Sequence, residues 1–470
     1  MSSQNTYRLI YLVGLSMIGL LLVGSLVFYR ERMLFVDPAF ITFEILQQDW
    51  FVFSEHRYGA FITQAFPLIG DRLGLSLKTI LIGYSMSFYL FFTAVIVVCG
   101  SLLKQYKLAI LFCCYLTFIV SDVYFWPNNE VHQAIGWMIG FLSMYTWSQE
   151  RDWKVPIWVH GITVVLLGLA TISHLLIVVP LGFLWMYSVL DKWHTDRKSI
   201  VTLFIYSILI LGFVGFRYWM SKDSWYDGGK LDGVQTATLD KLFTALSNDQ
   251  ATTILTLLLK RYWVAVLVLI VGLVSLFQKR AYLKIGLTLM SLFVYFSLVT
   301  MTHSVAIDLN NLFYFESQWM CMSIIMATPF VFEVLGRLRT SRIVLIAAVI
   351  IFGLQIPKLY QGLTKFQSRL VSLENLVDKA ANAKISKGYV IEKSSLNDTF
   401  LMTWGLPIET LLLSSIETDK PATTIKPLKA DRKVILTKDS VYTAFDLIPI
   451  SDLDSDHFRL DAESSYQKLD

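Results

Sequence analysis

Charged residues are scarce in this sequence: they make up 16% of its 470 residues, whereas hydrophobic residues make up 55%. Together with a mean hydropathy of +0.56, this balance excludes an ordinary soluble domain. Basic residues are spread along the chain instead of gathered on one segment, so the sequence predicts no nucleic-acid partner. Cysteine is scarce as well, which excludes a disulfide framework or a zinc cluster in the polar loops, because all four thiols lie in apolar runs: Cys99, Cys113, Cys114 and Cys321.

Long apolar runs are what the sequence contains in abundance. A single transmembrane helix needs about 20 predominantly apolar residues, and some of the runs are short enough to be tilted or re-entrant. The sequence therefore predicts an all-α polytopic membrane protein, in contact with membrane lipids, with about 11 transmembrane helices over residues 1–356. The candidate runs are 8–28, 77–100, 108–122, 132–147, 157–172, 175–190, 200–219, 263–277, 285–301, 312–335 and 343–356.

The distribution of Lys and Arg predicts the orientation in the membrane. The first run is long, starts weakly basic at Arg8 and has no small-residue cleavage pattern, so we interpret it as a retained helix and not as a secretion signal. If the N-terminus is cytoplasmic, the inner loops carry the basic residues, while the short outer loops 122–131, 173–174 and 302–311 contain no Lys or Arg. The positive-inside rule then predicts a multi-pass protein of the inner cell membrane, with a cytoplasmic N-terminus and a C-terminus outside, in the periplasm.

The composition changes after Pro357, where the long apolar runs end. A Leu-, Lys- and Ala-rich stretch at 364–382 predicts a helix, and short β-like runs at 388–392, 433–437 and 441–449 predict strands. Residues 357–470 are therefore expected to form a small α+β domain outside the membrane.

The first outer loop, residues 29–76, is too polar to span a bilayer and yet is patterned. Two helices, 38–50 and 58–72, are expected to lie along the membrane interface, with Pro67 bending or dividing the second. Asp37 precedes Pro38 at the start of the first helix and is a candidate general base at the water edge, or alternatively only an N-cap. Between the helices lies a polar turn that can contact substrate: Glu55, His56 and Arg57.

The second outer loop carries another acid beside an imidazole, because Asn129 and Glu130 are followed by His132 at a helix entrance. With Asp37, Glu130 and His132 can hold a divalent cation such as Mg²⁺ or Mn²⁺, or they can orient a sugar hydroxyl. The structural alternative is that Glu130 caps the helix and His132 bonds a neighbouring backbone group.

Polar residues also cluster at the predicted outer ends of the spans. Intramembrane acids are costly and are usually paired or face a water-filled cavity, and cations at span ends can neutralise a lipid phosphate or simply extend to the headgroups. These residues suggest a polar outer cavity: His56, His132, His174, His303 and Glu316, with Arg217, Lys260 and Arg261 as candidate phosphate ligands.

This combination resembles the GT-C superfamily of membrane glycosyltransferases over about residues 1–350. The shared features are the N-in first helix, the long outer loop that begins with Asp37 and carries two surface helices, the acid at Glu130 and the outer C-terminal domain. In this chain Asp37 is followed by proline and not by a second acid.

The resemblance implies transfer of a sugar from a polyprenyl-phosphate donor to an acceptor hydroxyl on the outer face, usually with inversion. The acceptor is a lipid, a glycan or a protein. Asp37 is then the general base, Glu130 and His132 orient the acceptor or bind metal, and Arg261 or Arg57 contacts the phosphate. Because lipid monophosphate donors generally need no metal in this superfamily and pyrophosphate donors often do, the metal stays open.

Two other functional classes are compatible with the sequence. A transporter or flippase for a lipid-linked or envelope substrate would use acids and histidines along a path, although the sequence contains no inverted repeat. A non-catalytic envelope scaffold would use the membrane part as an anchor and the tail to recruit partners.

Overall fold

The computed structural model describes residues 3–128, 130–151, 155–192, 197–236, 238, 240–241, 243–244, 249–302, 311–338, 342–392, 396, 398–416, 422–429, 438–461 and 464–469. Most of these residues are helical. The helices are α1 (Ser3–Val27), α2 (Tyr29–Met33), α3 (Val36–Gln48), α4 (Phe61–Arg72), α5 (Leu77–Val97), α6 (Tyr106–Tyr115), α7 (Glu130–Glu150), α8 (Ile157–Ser173), α9 (Val178–Lys192), α10 (Arg197–Ser221), α11 (Trp225–Gln235), α12 (Asp249–Lys260), α13 (Trp263–Gln278), α14 (Tyr282–Thr302), α15 (Leu312–Trp319), α16 (Cys321–Pro329), α17 (Arg342–Gly353), α18 (Ile356–Asn382) and α19 (Leu406–Ile416).

Several of these helices are long and apolar enough to cross a membrane. Five qualify singly: Gln4–Val27, Leu77–Leu102, Ile200–Ser221, Tyr282–Thr302 and Arg342–Asn382. Three bent pairs, with angles of 119°, 85° and 47°, raise the number to eight if each pair is one span. The described residues thus supply five to eight candidate spans where the sequence predicts eleven. One reason is that runs 157–172 and 175–190 form a single bent pair; another is that run 108–122 contains only the ten-residue helix α6.

Both helices of the first outer loop form close to their predicted bounds, but their surroundings differ from the expectation. Phe43 of α3 is buried against Phe458, with ring centroids 5.6 Å apart. The C-terminal region therefore packs on α3, and protein buries most of the apolar residues of this helix. In the second helix, α4 runs through Pro67 without a break, so the prediction that this proline divides the helix is wrong.

The C-terminal region consists of α18, α19 and two small sheets. Strands β1 (Lys387–Ile391), β2 (Thr424–Leu428) and β5 (Gln467–Lys468) form a parallel sheet in the order β2-β1-β5. Strands β3 (Ser440–Tyr442) and β4 (Leu447–Pro449) form an antiparallel hairpin within the predicted run 441–449. The predicted strand 433–437 lies outside the described residues. A small sheet region at the C-terminus is thus present, and α18 continues the apolar helix α17 into it after a short break.

Candidate functional site

Asp37 lies in the first turn of α3 and is half-buried. The N-cap position belongs to Phe35, so the carboxylate is free of the capping role that the sequence allowed. Its Oδ2 accepts a hydrogen bond of 2.7 Å from Nε1 of Trp126. Burial, together with the nearby Glu130 carboxylate, raises the pKa of Asp37 to about 7, although Trp126 and Arg57 act in the opposite direction. A carboxyl group with a pKa near neutrality is suited to taking up a proton from a substrate.

The backbone that presents Asp37 is strained and is tied to the C-terminal region. Val36 has a φ of 28°, which is unfavourable for a β-branched residue. Its N–H donates to Oε1 of Glu409 at 2.6 Å. A Cβ at Gly405 would lie 3.0 Å from Cα of Val36, so this close approach requires glycine there.

Glu409 is itself paired with Arg369, and both side chains are buried. Arg369 also donates from Nη1 to the carbonyl oxygen of Leu34 at 2.7 Å and from Nε to that of Phe400 at 3.1 Å. The pair therefore binds the backbone at the strained residue and at Leu34, two residues before it, and we call Arg369 and Glu409 the strut. Strain of this kind persists only when surrounding contacts enforce it.

Arg57 connects the two outer loops to α11. It donates from Nη1 to Oε2 of Glu130 at 3.1 Å and from Nη2 to Oδ1 of Asp227 at 2.7 Å. Burial opposes the charged form of Arg57, but the two acids outweigh it and raise its pKa. Arg57 therefore stays cationic, and it holds the Glu130 carboxylate close to Asp37.

Arg217 supports the same network from α10. Its Nη2 donates to Oδ2 of Asp227 at 2.7 Å and its Nη1 to the carbonyl oxygen of Glu55 at 3.0 Å. The Glu55 carboxylate accepts a hydrogen bond from the Ser224 hydroxyl. Because Arg217 is buried and these contacts engage both of its terminal nitrogens, this side chain stabilises the network and does not offer a docking point for phosphate.

Lys230 of α11 presents a cation to this cluster. Its Nζ lies 3.8 Å from the ring centre of Tyr226, and within the described part of the chain no carboxylate forms an ion pair with it. Burial lowers the pKa of Lys230 to about 8, and the neighbouring Arg57 contributes in the same direction, while the charges of Asp227, Glu130 and Glu55 oppose the shift. An ammonium group in this setting gains from an incoming anion, since the anion supplies the missing counter-charge.

Three aromatic side chains form a wall between Asp37 and Lys230. Trp126, which donates to Asp37, has its ring 5.9 Å from that of Tyr314. The Tyr314 hydroxyl lies 3.2 Å from the hydroxyl of Tyr226, whose ring faces Lys230. The site thus has a carboxyl group at one end, an ammonium group at the other, and an apolar surface with phenol edges between them.

Glu316 is enclosed by the structure and does not line this site. Its carboxylate accepts hydrogen bonds from the backbone N–H groups of Ser121, at 2.9 Å, and Val123, at 2.7 Å, and from the Tyr262 hydroxyl. These contacts hold the turn at Asp122–Phe125 that leads into Trp126. Glu316 therefore contributes to the site indirectly, by holding the segment that carries Trp126.

Two further predicted phosphate ligands, Lys260 and Arg261, lie at the end of α12 and directly after it. Arg261 donates from Nη2 to Ser121 Oγ at 2.8 Å and to Asp122 Oδ1 at 3.2 Å, so an internal acid already neutralises it. Lys260, its neighbour at the end of α12, is exposed. The sequence-based assignment of these two cations to the donor phosphate has no support in these contacts.

The histidines of this set that the structure describes, His56, His132 and His174, make separate contacts. His56 is exposed and its Nδ1 lies 3.1 Å from the Tyr58 hydroxyl. His132 is buried, with Nδ1 2.7 Å from the Tyr115 hydroxyl, and Nδ1 of His174 accepts the Leu176 N–H at 3.1 Å. The last two thus make local structural contacts. Asn129 and His303 lie outside the described residues.

The predicted metal ligands Asp37, Glu130 and His132 do not form a metal site. His132 contacts Tyr115, and the Glu130 carboxylate is paired with the Arg57 guanidinium. Among the described residues, ligand atoms within 4.8 Å of one another occur elsewhere, at Asp71, Asp454 and His457. The donor set around Asp37 therefore does not fit Mg²⁺ or Mn²⁺.

Sequence reasoning missed Lys230, Asp227, Trp126, Tyr226 and Tyr314. One signal was available, because the polar stretch 222–235 closely follows the apolar run 200–219 and contains three acids, two lysines and two aromatic residues. Their arrangement was not predictable, since Arg57 and Asp227 are 170 residues apart in the chain. No protein-family model matches this chain, and neither the curated proteins nor the solved structures contain a match to it.

Proposed function

We propose that this protein is an integral-membrane glycosyltransferase that moves a sugar from a polyprenyl-phosphate donor to an acceptor hydroxyl on the outer face of the inner cell membrane. The observation that carries the proposal is the pairing of a carboxyl group of near-neutral pKa, Asp37, with an ammonium group, Lys230, across an aromatic wall. The five to eight apolar helices provide the membrane setting that a lipid-borne donor requires.

The reaction assigns one role to each end of the site. The acceptor oxygen forms a bond with the anomeric carbon, and the bond between that carbon and the phosphate oxygen breaks. Asp37 takes the acceptor proton. The electron pair of the broken bond leaves with the polyprenyl phosphate, whose added negative charge lies against Lys230. Direct displacement of this kind inverts the anomeric centre.

The other polar groups position these two. Arg57 keeps Glu130 near Asp37, and this second carboxylate helps to hold the Asp37 pKa high enough for proton uptake. Trp126 fixes the Asp37 side chain and offers the sugar ring an apolar face. We therefore transfer the phosphate-binding role from Arg261, Lys260 and Arg217 to Lys230.

The dependence of kcat/KM on pH tests this assignment. Asp37 must be ionised, so activity rises as pH increases through about 7, and Lys230 must be protonated, so activity falls as pH increases through about 8. We expect a narrow bell-shaped profile between these values. Lys230→Arg keeps the positive charge at all working pH values. It should therefore shift only the alkaline limb of the profile, to higher pH. Lys222→Arg, at an exposed site nearby, should leave both limbs in place. An alkaline limb unchanged in Lys230→Arg would remove Lys230 from the phosphate site.

Turnover in proteoliposomes tests the function itself. The purified chain would be supplied with radiolabelled polyprenyl-phosphate hexoses and an envelope extract that contains lipid, glycan and protein acceptors. Release of polyprenyl phosphate together with label on the acceptor is the expected result. Movement of intact donor across the bilayer without cleavage would instead identify a flippase, and the absence of both activities would favour the scaffold.

The orientation can be tested with introduced thiols, since the four native cysteines are buried. Lys104 and Ser451 are both exposed. A membrane-impermeant maleimide applied to spheroplasts should label Ser451→Cys strongly and Lys104→Cys only after lysis, because the basic loop is placed in the cytoplasm. The reverse labelling pattern would contradict an outer site at Asp37.

A further inference from the structure

The C-terminal region contains a cavity of about 620 Å³ that the proposed chemistry does not use. It lies between the segment 402–404, the end of β2 and the β3–β4 hairpin. Its volume is within the range of small-molecule sites. Leu401, directly before the first lining segment, has a φ of 62°. This left-handed conformation is uncommon for a leucine and turns the following residues toward the cavity.

One wall of the cavity is an aromatic platform formed by Trp404 and Phe445. Their ring centroids are 5.1 Å apart and their planes differ by 21°. Phe40 packs edge-on against both rings, at 6.1 Å and 5.5 Å, and so supports the platform from below. Phe445 is nevertheless 69% exposed. A supported aromatic surface that is open to water inside a cavity can contribute to ligand binding.

Polar side chains surround this platform. The Glu392 carboxylate accepts a hydrogen bond from the Thr403 hydroxyl. The Lys426 ammonium lies 4.9 Å from the ring centre of Tyr442, and the exposed Lys429 also lines the cavity. Among the described residues, the rim thus offers hydrogen-bonding groups, two positive charges and one negative charge.

We infer that this cavity binds a sugar ring of the acceptor glycan, with preference for a carboxylate-bearing sugar. A pyranose has an apolar face of C–H groups that matches the flat Trp404–Phe445 surface, and hydroxyls at its edge that match the polar rim. The two lysines favour an acidic substituent. The geometry of the cavity by itself supports the binding of a sugar. Its assignment as the acceptor site rests on the proposed function.

The position of Phe40 connects this cavity to the site. Phe40 follows Asp37 by three residues on α3, and residues at this spacing are neighbours on a helix, with Cβ atoms about 5–6 Å apart. The residue that supports the platform is therefore one turn from the general base. A glycan held on the platform can extend a neighbouring hydroxyl toward Asp37.

Calorimetric titration of the full-length protein in detergent tests the inference with two matched probes, trigalacturonate and the neutral galactotriose. We expect trigalacturonate to bind more tightly than galactotriose. Phe445→Ala should weaken both by roughly tenfold, the scale of a lost aromatic contact, and a Lys426→Met, Lys429→Met double variant should remove the preference. Trp50→Ala, an exposed outer-loop tryptophan outside the cavity, is the matched control and should bind as the wild type does.

Each outcome decides one part of the inference. Failure of the wild type to bind either probe, or unchanged binding by Phe445→Ala, would overturn the sugar site. Equal affinity for the two probes would overturn the preference for acidic sugars. No donor or turnover is needed, so the binding result and the transfer result are independent: loss of one leaves the other standing.

Discussion

Asp37→Asn is expected to lower sugar transfer by about 10²–10⁴-fold, the usual contribution of a positioned general base, while the protein becomes more stable. The amide has the same shape as the carboxyl group and can still accept the hydrogen bond from Trp126. It cannot take up the acceptor proton. Transfer in proteoliposomes and the melting temperature, both measured at pH 8, give the two readouts.

The gain in stability follows from the direction of the pKa shift. The folded-state pKa of Asp37 is about 7, above its ordinary value of 3.8, so the folded protein binds the proton more tightly than the unfolded chain does. The contribution of Asp37 to wild-type stability is therefore greatest below about pH 4 and is lost as pH rises toward 7. The neutral amide avoids this loss, and the melting temperatures of the two proteins should diverge across this interval.

Asp49→Asn is the matched control for this substitution. Asp49 caps the other end of α3, is exposed and pairs with Arg72 at 2.8 Å. Its φ of 46° is one that asparagine tolerates. This variant should transfer sugar normally and show no pH-dependent gain in stability. Normal turnover by Asp37→Asn would exclude Asp37 as the base, whatever its stability.

Arg369→Met is expected to destabilise the protein by roughly 3–5 kcal/mol, because it leaves the Glu409 carboxylate buried without its counter-charge. Removing both charges in Arg369→Met, Glu409→Met should recover much of this loss, since no unpaired ion remains. Arg72→Met, which breaks an exposed ion pair, should cost at most about 1 kcal/mol. Denaturant or thermal unfolding in detergent measures all three.

The double variant also tests whether the strut positions Asp37. Without Glu409, the Val36 N–H has no acceptor, and the left-handed backbone before Asp37 is expected to relax. Stability of the double variant would then recover while its sugar transfer stays low. The acid limb of its pH profile should also shift, because the environment that raises the Asp37 pKa is changed. If transfer recovered together with stability, the strut would have only a structural role.

Local sequence patterns predicted a considerable part of the first outer loop. Asp37, the two helices that follow it and the polar turn with Arg57 were all identified from residue types and spacing. The environment of α3 was not predicted, since Phe43 packs on Phe458, more than 400 residues later in the chain. An amphipathic helix presents the same pattern whether lipid or protein covers its apolar face.

The polar residues at the ends of the spans show the same difference between what residue patterns predict and what only the structure gives. Glu316 and Lys230 are both ionisable side chains near apolar runs, and sequence reasoning chose only the first as a substrate ligand. The structure encloses Glu316 among backbone donors and leaves Lys230 without an acid partner in the described region. Whether a charge is satisfied internally depends on which distant groups surround it, and a single sequence does not contain that information.

The sequence by itself determined the membrane class and the first-loop helices and singled out Asp37 as a candidate, because these depend on composition and on contacts between near neighbours. Only the tertiary structure decided what Asp37 faces and what holds it in place. The hydrogen bonds that hold this segment join residues that are far apart in the chain. Val36 and Glu409 are separated by 373 positions, and Asp37 and Trp126 by 89. Long-range pairing of this kind follows from the packing of whole helices, which local periodicity does not specify.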